Sequence, residues 1–400
     1  MRHAFSRGLL AALAASTLVL SACGDDDKTD TGNTGNTGSP GGDAPATVKI
    51  GFMGDLTGEN SGIVIPPRNG AQLAIDQYNA TNPKTKIELV PYDSQGAGEQ
   101  ATGLAQQAIN TDKIVGLIGP AFSGESQQVG PILEEGKIPS VSASATNVTL
   151  AEKGWKFWHR VLPGDRIQGT EIGNFMATGM NAKKVFVIHD NQDYSKGIAD
   201  FVTAALKAKG ATVSADVIDP QGSDYASTVN KVKPAAPDAI FYGGYYAQGG
   251  RLLKQLREAG VTAKFVSGDG SLDPGLAKGA GAANIKGAVV GCPCLVDPTG
   301  ESNEKSKKFA DEYKAKFNTT PAIYAAEGFD AATAFIEAIK AGKTKAEDIN
   351  TFLSTIDVAG VTKQIKFGPN GEPAGGDVFM YEFEGSGYTL LGNSKEAKVS

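Results

Sequence analysis

The chain sets 38 Lys and Arg against 44 Asp and Glu over 400 residues, a net charge of −6. A mildly acidic balance lacks the basic surplus needed to bind nucleic acid through its phosphates. The length exceeds what one hydrophobic core usually serves, so the folded part is expected to divide in two.

The first residues read as an export signal. Arg2 and Arg7 supply a positive start, and 9–20 is uncharged and rich in Ala and Leu. That stretch of about a dozen residues has h-region length and falls short of the roughly 20 apolar residues that span a bilayer. Leu20-Ser21-Ala22-Cys23 follows and looks like a bacterial lipobox, in which cleavage precedes a cysteine that then carries lipid. Cys23 is the expected anchor; an ordinary signal peptide with an incidental cysteine is the alternative. Residues 24–47 hold no large apolar side chain, cannot offset chain entropy by burial, and are expected to form a tether. Loss of Arg2 and Arg7 with the signal leaves a net charge of −8. No later segment approaches transmembrane length without charges, so the remainder is expected to be soluble.

From 48 onward, apolar runs of strand length alternate with helix-period segments. Strands are expected at 48–53, 87–92, 114–118 and 138–141, with helices near 70–79, 99–110 and 126–135. The rhythm restarts with strands at 185–189, 213–218, 239–242 and 265–267, and helices near 195–209, 225–233 and 249–259. Such alternation predicts an α/β fold of two doubly wound parallel-sheet lobes. Beyond Cys294 the pattern turns helical over 304–317, 322–341 and 346–355. It closes with Ile365-Lys366-Phe367, a Gly-Pro-Asn-Gly turn at 368–371, and short strands at 378–383 and 388–391. Three helices without a sheet of their own must pack on an existing one, and the first is the expected partner. The chain would then cross between lobes near 163–167, 290–295 and 360–365. The resulting division is 1–22 signal, 23–47 anchor and tether, 48–165 with 293–362 first lobe, 166–292 with 363–392 second lobe, and 393–400 tail.

Past Cys23 only Cys292 and Cys294 remain, flanking Pro293. Their spacing suits a strained disulfide first, a thiol pair second, and a metal site a distant third, since no histidine lies nearby in sequence.

In doubly wound sheets, ligands bind beyond the carboxyl ends of strands, where helix N-termini present backbone N–H groups. Three such loops are rich in small hydroxyl residues: Gly119-Pro120-Ala121-Phe122-Ser123-Gly124, Ser142-Ala143-Ser144-Ala145-Thr146-Asn147 and Gly268-Asp269-Gly270-Ser271. The Ile118-Gly119 loop and Ser144-Ala145-Thr146-Asn147, with Val48-Lys49-Ile50-Gly51, Gly58, Gly70-Ala71, Tyr92-Asp93-Ser94, His189-Asp190, Tyr194, 241–246 (Phe-Tyr-Gly-Gly-Tyr-Tyr) and Gly260, resemble the branched-chain-amino-acid-binding proteins of ABC importers. The match runs in order from about 48 to 392. The resemblance implies the type I periplasmic-binding-protein fold, two lobes joined by three crossovers and closing on a ligand.

It also implies roles for particular residues. Ser123, through hydroxyl and N–H, and the Thr146 N–H would receive a ligand carboxylate. The Ser144 carbonyl, the Thr146 hydroxyl and Asp269 would receive an ammonium, with Ala145 in the same loop. Tyr194 and Tyr245 would close over the ligand from the second lobe. A zwitterion leaving water needs each charge paired or hydrogen-bonded, because an unpaired buried ion costs several kcal/mol. Plainer readings exist for each: Ser123 as a helix cap, Thr146 and Asp269 as turn residues, the tyrosines as core aromatics. Two departures bear on selectivity. Family members typically carry Glu where Asp269 stands, and some join the positions of Gly96 and Phe122 by a disulfide; here Phe122 is free to enter the side-chain pocket.

Other motifs fail on context. Ala341-Gly342-Lys343-Thr344 lacks the Gly of a phosphate loop at Glu337 and reads as a helix end. Gly279-Ala280-Gly281-Ala282-Ala283-Asn284 begins like a dinucleotide fingerprint, ends on Asn284 and reads as a loop. His189-Asp190 has no Gly-x-Ser-x-Gly elbow to serve, so His189 is structural or lines the cleft. The expectation is a monomeric, cofactor-free and metal-free binding lipoprotein, not an enzyme. It would hold a small amino acid for an ABC permease and touch the membrane through its lipid alone. A sensor lipoprotein of the same fold, or a binder of a small amide or aromatic acid, is the alternative.

Overall fold

The computed structural model describes residues 46–398. The export signal, Cys23 and nearly all of the tether lie outside the described residues. The described residues form one compact unit, containing two large sheets and a separate two-stranded one.

The first sheet is built from β1 (Thr47–Gly54), β2 (Lys86–Asp93), β3 (Gly116–Ile118), β4 (Ser140–Ser142) and β5 (Trp158–Arg160). All five run parallel in the order β2-β1-β3-β4-β5. β1 is set against β2 from Thr47↔Lys86 to Gly54↔Asp93, which brings the carboxyl ends of both strands to one edge. Between the strands run α1 (Ile65–Ala80), α2 (Gly98–Gln107), α3 (Ser123–Gly136) and the short α4 (Thr149–Glu152). The helix expected over 99–110 changes hydrogen bonding near its end, where 108–112 continues as a π turn capped by Lys113 in the left-handed region.

After β5 the chain enters α5 (Asp165–Asn174), then β6 (Lys184–His189), α6 (Asp193–Ala208), β7 (Thr212–Val217), α7 (Ala226–Ala235), β8 (Ala239–Gly243), α8 (Tyr246–Glu258) and β9 (Lys264–Gly268). α9 (Pro274–Ala280), α10 (Ala282–Ile285) and β10 (Val289–Cys292) follow. α11 (Glu304–Phe317), α12 (Ala325–Lys340), α13 (Ala346–Leu353), the short β11 (Val358–Ala359) and β12 (Gln364–Ile365), and the hairpin β13 (Phe379–Glu384) with β14 (Gly387–Asn393) complete the chain. The second sheet has the order β14-β13-β10-β9-β8-β6-β7. It is parallel from β7 to β10, with β13 and β14 added antiparallel at one edge, as large α/β sheets often are.

Sequence periodicity passed over α5, which carries glycines where a helix would favour Ala. The glycines are there for contact. A Cβ on Gly169 would stand 2.7 Å from the Phe201 Cβ, and one on Gly173 2.6 Å from the Ala205 Cβ, so α5 exists by lying directly on α6. The segment 279–284, expected as a loop, is instead the end of α9 and the start of α10, broken at Gly281 with φ +88°. As read from sequence, 341–344 ends a helix, with Ala341 as the C-cap of α12 and Gly342 at φ +78°. Of the segment expected as a tail, Asn393 belongs to β14, the Ser394 N–H donates to the Val378 carbonyl at 2.8 Å and Ala397 is buried. It is packed as far as it is described.

α12 is the most apolar of the late helices, and it lies along α1 with Phe335 reaching the Gly116 position of β3. Phe335 is fully buried, and its truncation to Ala would cost about 3–5 kcal/mol. Cys292 and Cys294 are joined by a disulfide, S–S 2.01 Å. No described helix is long and apolar enough to cross a membrane.

Candidate functional site

The loops after β3, β4, β6, β8 and β9 converge at the carboxyl edges of the two sheets. They enclose a cavity of about 10 Å³ walled by Ile63, Ala121, Phe122, Ser123, Ser144, Tyr194, Tyr245, Asp269, Gly270 and Tyr324. Six residues expected from sequence share this wall, contributed by both sheets. The volume has room for about one water.

On the side of the first sheet the polar groups are tied to one another. Ser123 is the first residue of α3, and Phe122 is its N-cap. Ser123 therefore does not cap the helix. Its Oγ accepts the Asn147 N–H at 3.2 Å, and its own N–H is among those with no intrahelical partner. The capping task falls to Glu125, which accepts the Phe122 N–H at 3.1 Å and the Ser94 hydroxyl. Burial pushes the Glu125 carboxyl up to about 7. The Ser144 hydroxyl donates to the Ala121 carbonyl at 2.8 Å and the Ser142 hydroxyl to the Pro120 carbonyl at 2.9 Å, locking the two loops together.

Ala145 and Thr146 do not line the cavity. Ala145 packs with Leu150 and Trp158, and its N–H is taken by Ser142 Oγ at 3.0 Å, because the loop turns inward after Ser144. Thr146 is fully buried behind the wall; its carbonyl accepts the Asp165 N–H at 2.8 Å, and its hydroxyl has no hydrogen-bond partner.

The second sheet contributes rings and a carboxylate. Tyr194 lies at the start of α6 and Tyr245 is the N-cap of α8. Tyr245 stands between Phe122, with centroids 4.7 Å apart, and Tyr194, 5.2 Å apart. Asp269, just past β9, is 1 % exposed. Its Oδ1 accepts the Tyr194 hydroxyl at 2.6 Å and the Gly270 N–H at 3.1 Å, and its Oδ2 accepts the Tyr324 hydroxyl. Burial raises its carboxyl, and these donors oppose the rise. Gly270 must be glycine: a Cβ there would fall 2.8 Å from the Tyr194 ring and 2.9 Å from the Gly244 carbonyl.

Three residues of this region escaped the sequence reading. Tyr324, N-cap of α12, holds φ +60°, a strained setting for a bulky residue and one that marks functional sites. Asp165, at the first crossover, is fully buried, and neither carboxylate oxygen has a hydrogen-bond partner. Burial, then the nearby Asp269, pushes it up to about 8. Arg160, also fully buried, donates to the carbonyls of Ala145 at 3.1 Å and Asn147 at 3.0 Å and pairs with Glu372. Asp269 thus lines the cavity with a second buried acid, Asp165, near it, while the nearby cation is already engaged, so this end of the site is suited to a cation.

Contacts also cross from one set of loops to the other. Asn147 Nδ2 donates to the Asp193 carbonyl at 2.5 Å, the Gly62 N–H to the Tyr246 hydroxyl at 3.1 Å, and Arg251 pairs with Glu59 at 3.2 Å. The two sides are closed on each other. His189 stays off the wall, with Nδ1 accepting the Asn191 N–H at 3.0 Å. Among the described residues no cluster of His, Cys, Asp and Glu could hold a metal.

The sequence profile of the periplasmic binding proteins matches residues 47–388. The chain belongs to that family. A Pseudomonas aeruginosa leucine-, isoleucine-, valine-, threonine- and alanine-binding protein is 28% identical over 344 residues, 85% of this chain and 91% of that one. The crystal structure of a leucine-binding protein from Thermotoga maritima superposes with TM-score 0.79 at 28% identity, covering 86% of this chain and 98% of the other. A Streptococcus pneumoniae branched-chain amino acid transporter substrate-binding protein, solved with isoleucine, gives TM-score 0.79 at 28% identity, covering 88% and 99%. This periplasmic binding protein therefore has the fold and family expected of its sequence, and the family is one of extracytoplasmic solute binders rather than enzymes.

Proposed function

We propose that this periplasmic binding protein captures a branched-chain or similar small amino acid between its lobes and delivers it to an ABC permease. The observation that carries the reading is the division of the cavity wall. Ser123, at the first turn of α3, faces a prospective carboxylate, whereas Asp269, ordered by Tyr194, Tyr324 and Gly270, faces a prospective ammonium. Ser144, in the wall, would add its carbonyl, and Ala145 and Thr146, behind it, would hold the loop in place. Phe122 and Tyr245 would meet the apolar side chain. The relatives named for leucine, isoleucine and valine support this substrate class. The lobe boundaries read from sequence, near 165, 292 and 362, would serve as the hinge, and a lipid on Cys23 would hold a monomer at the membrane.

A solute of this size needs a wider space than about 10 Å³, so binding must begin from a more open arrangement and draw the lobes together, the differential affinity that shifts such an equilibrium. The test is a thermal-shift screen of amino acids, small amides and aromatic acids. Leucine, isoleucine or valine at a hundred times its dissociation constant should add about 2.7 kcal/mol and raise the melting temperature. A screen in which only amine-free acids do so would replace the amino acid reading.

A further inference from the structure

A second, larger cavity lies away from the site just described. It occupies about 400 Å³ among the later crossovers and the first turns of α11 and α12, with Leu295, Phe309, Val361 and Phe379 in its apolar walls. Glu327 and Lys363 line the same space. Glu327 is 2 % exposed, yet among the described residues its carboxylate is approached by no hydrogen-bond donor except its own backbone N–H. Lys363 feels Glu327, Asp330 and Asp377 but forms no ion pair with any of them. Asp330 is already occupied by the N–H groups of Val361 and Thr362 and the Thr362 hydroxyl, at 2.7, 2.9 and 2.6 Å. Asp297, Lys366 and Asp377 also line this space, but Lys366 pairs with Asp357 and Asp297 accepts from the 301–302 turn, so Glu327 and Lys363 are opposite charges that share the cavity without meeting.

We propose that this cavity is a second ligand site, for a small zwitterion with an apolar body, whose ammonium meets Glu327 and whose carboxylate meets Lys363. Its volume lies within the range of small-molecule sites. Taking an ion out of water is costly unless it is paired with good geometry, and burial pushes the Glu327 carboxyl up to about 7 and the Lys363 ammonium down. One ligand carrying both charges relieves both groups while its body covers the walls. A turn of α12 separates the two cavities: Tyr324 faces the first, Glu327 the second.

The test uses the whole chain carrying Ser123→Ala and Asp269→Asn, which disable the first site. Isothermal titration is run with L-phenylalanine and with L-leucyl-L-leucine, and N-acetylphenylalaninamide serves as a neutral control. One zwitterion is expected to bind at one per chain, the neutral control at least tenfold more weakly, and Glu327→Gln in this background to weaken the zwitterion at least tenfold. Ala326→Trp, which narrows the space and leaves both charged residues in the sequence, should abolish binding. Silence with both zwitterions, equal affinity for the neutral control, or binding that survives Glu327→Gln and Ala326→Trp would overturn the proposal. None of these results depends on how the first site reads.

Discussion

The two halves of the interlobe cavity are built on opposite principles. On the first sheet, hydroxyls and N–H groups are held by bonds within the protein: Ser142 and Ser144 to the Pro120 and Ala121 carbonyls, Glu125 to the Phe122 N–H, Asn147 to Ser123. On the second sheet, the tilted rings of Tyr194 and Tyr245 share the wall with one carboxylate, Asp269, which accepts the Tyr194 hydroxyl. A half whose dipoles are fixed in advance loses little freedom when a carboxylate arrives, which is how preorganisation raises affinity. A half made of rings supplies area and shape, and places its one charge where only a matching cation repays the cost of burial. General affinity for an acid should therefore reside in the first half, and discrimination for the amine in the second.

The sharpest way to break this comparison is Asp269→Asn. Truncating one side of a buried charge pair costs about 2–5 kcal/mol, so an amino acid should bind roughly 30- to 5000-fold more weakly by calorimetry, while its amine-free analogue should bind as before. Equal loss for both would erase the division. Next comes Ser123→Ala, expected to weaken amino acid and amine-free analogue alike by about tenfold, the worth of one hydrogen bond to a charged group. Tyr324→Phe removes one of the two tyrosine donors to Asp269 and should cost a few-fold, about 1 kcal/mol. Because Tyr324 opposes the upward shift of Asp269, binding in this variant should also fail at a higher pH than in the native protein on acidification.

The smallest effect concerns stability. Glu125 and Glu327 are pushed up to about 7 and Asp165 to about 8, above the values of about 4 that carboxyls have in an unfolded chain. From about pH 4 to 8 the folded protein therefore holds more protons than the unfolded one, and stability falls as pH rises through that window. The melting temperature should drop by a few degrees between pH 5 and pH 8. Asp165→Asn should flatten the slope, since its carboxylate accepts no hydrogen bond. An unchanged slope would place the titration elsewhere.

Much of this was legible in the residues themselves. The period of apolar runs located eight of the parallel strands, because strand and helix repeats are imprinted by which face is buried. Small hydroxyl loops after strands pointed to Ser123, Ser144 and Asp269, because the carboxyl ends of parallel strands and the N-termini of the following helices meet by construction. The short strands β5 and β10 and the glycine-bearing α5 were not legible, since a neighbour's contact, not their own pattern, makes them.

The partners of the site were decided at longer range. Tyr324 reaches Asp269 across 55 positions of sequence, Arg160 reaches Glu372 across 212, and the second cavity draws its walls from three separate stretches of chain. Local chemistry names the groups able to meet a ligand. Which of them share a wall depends on strand order and on the crossings between lobes, and those follow from packing of the whole chain, where burial is a property of the assembly and not of any one segment.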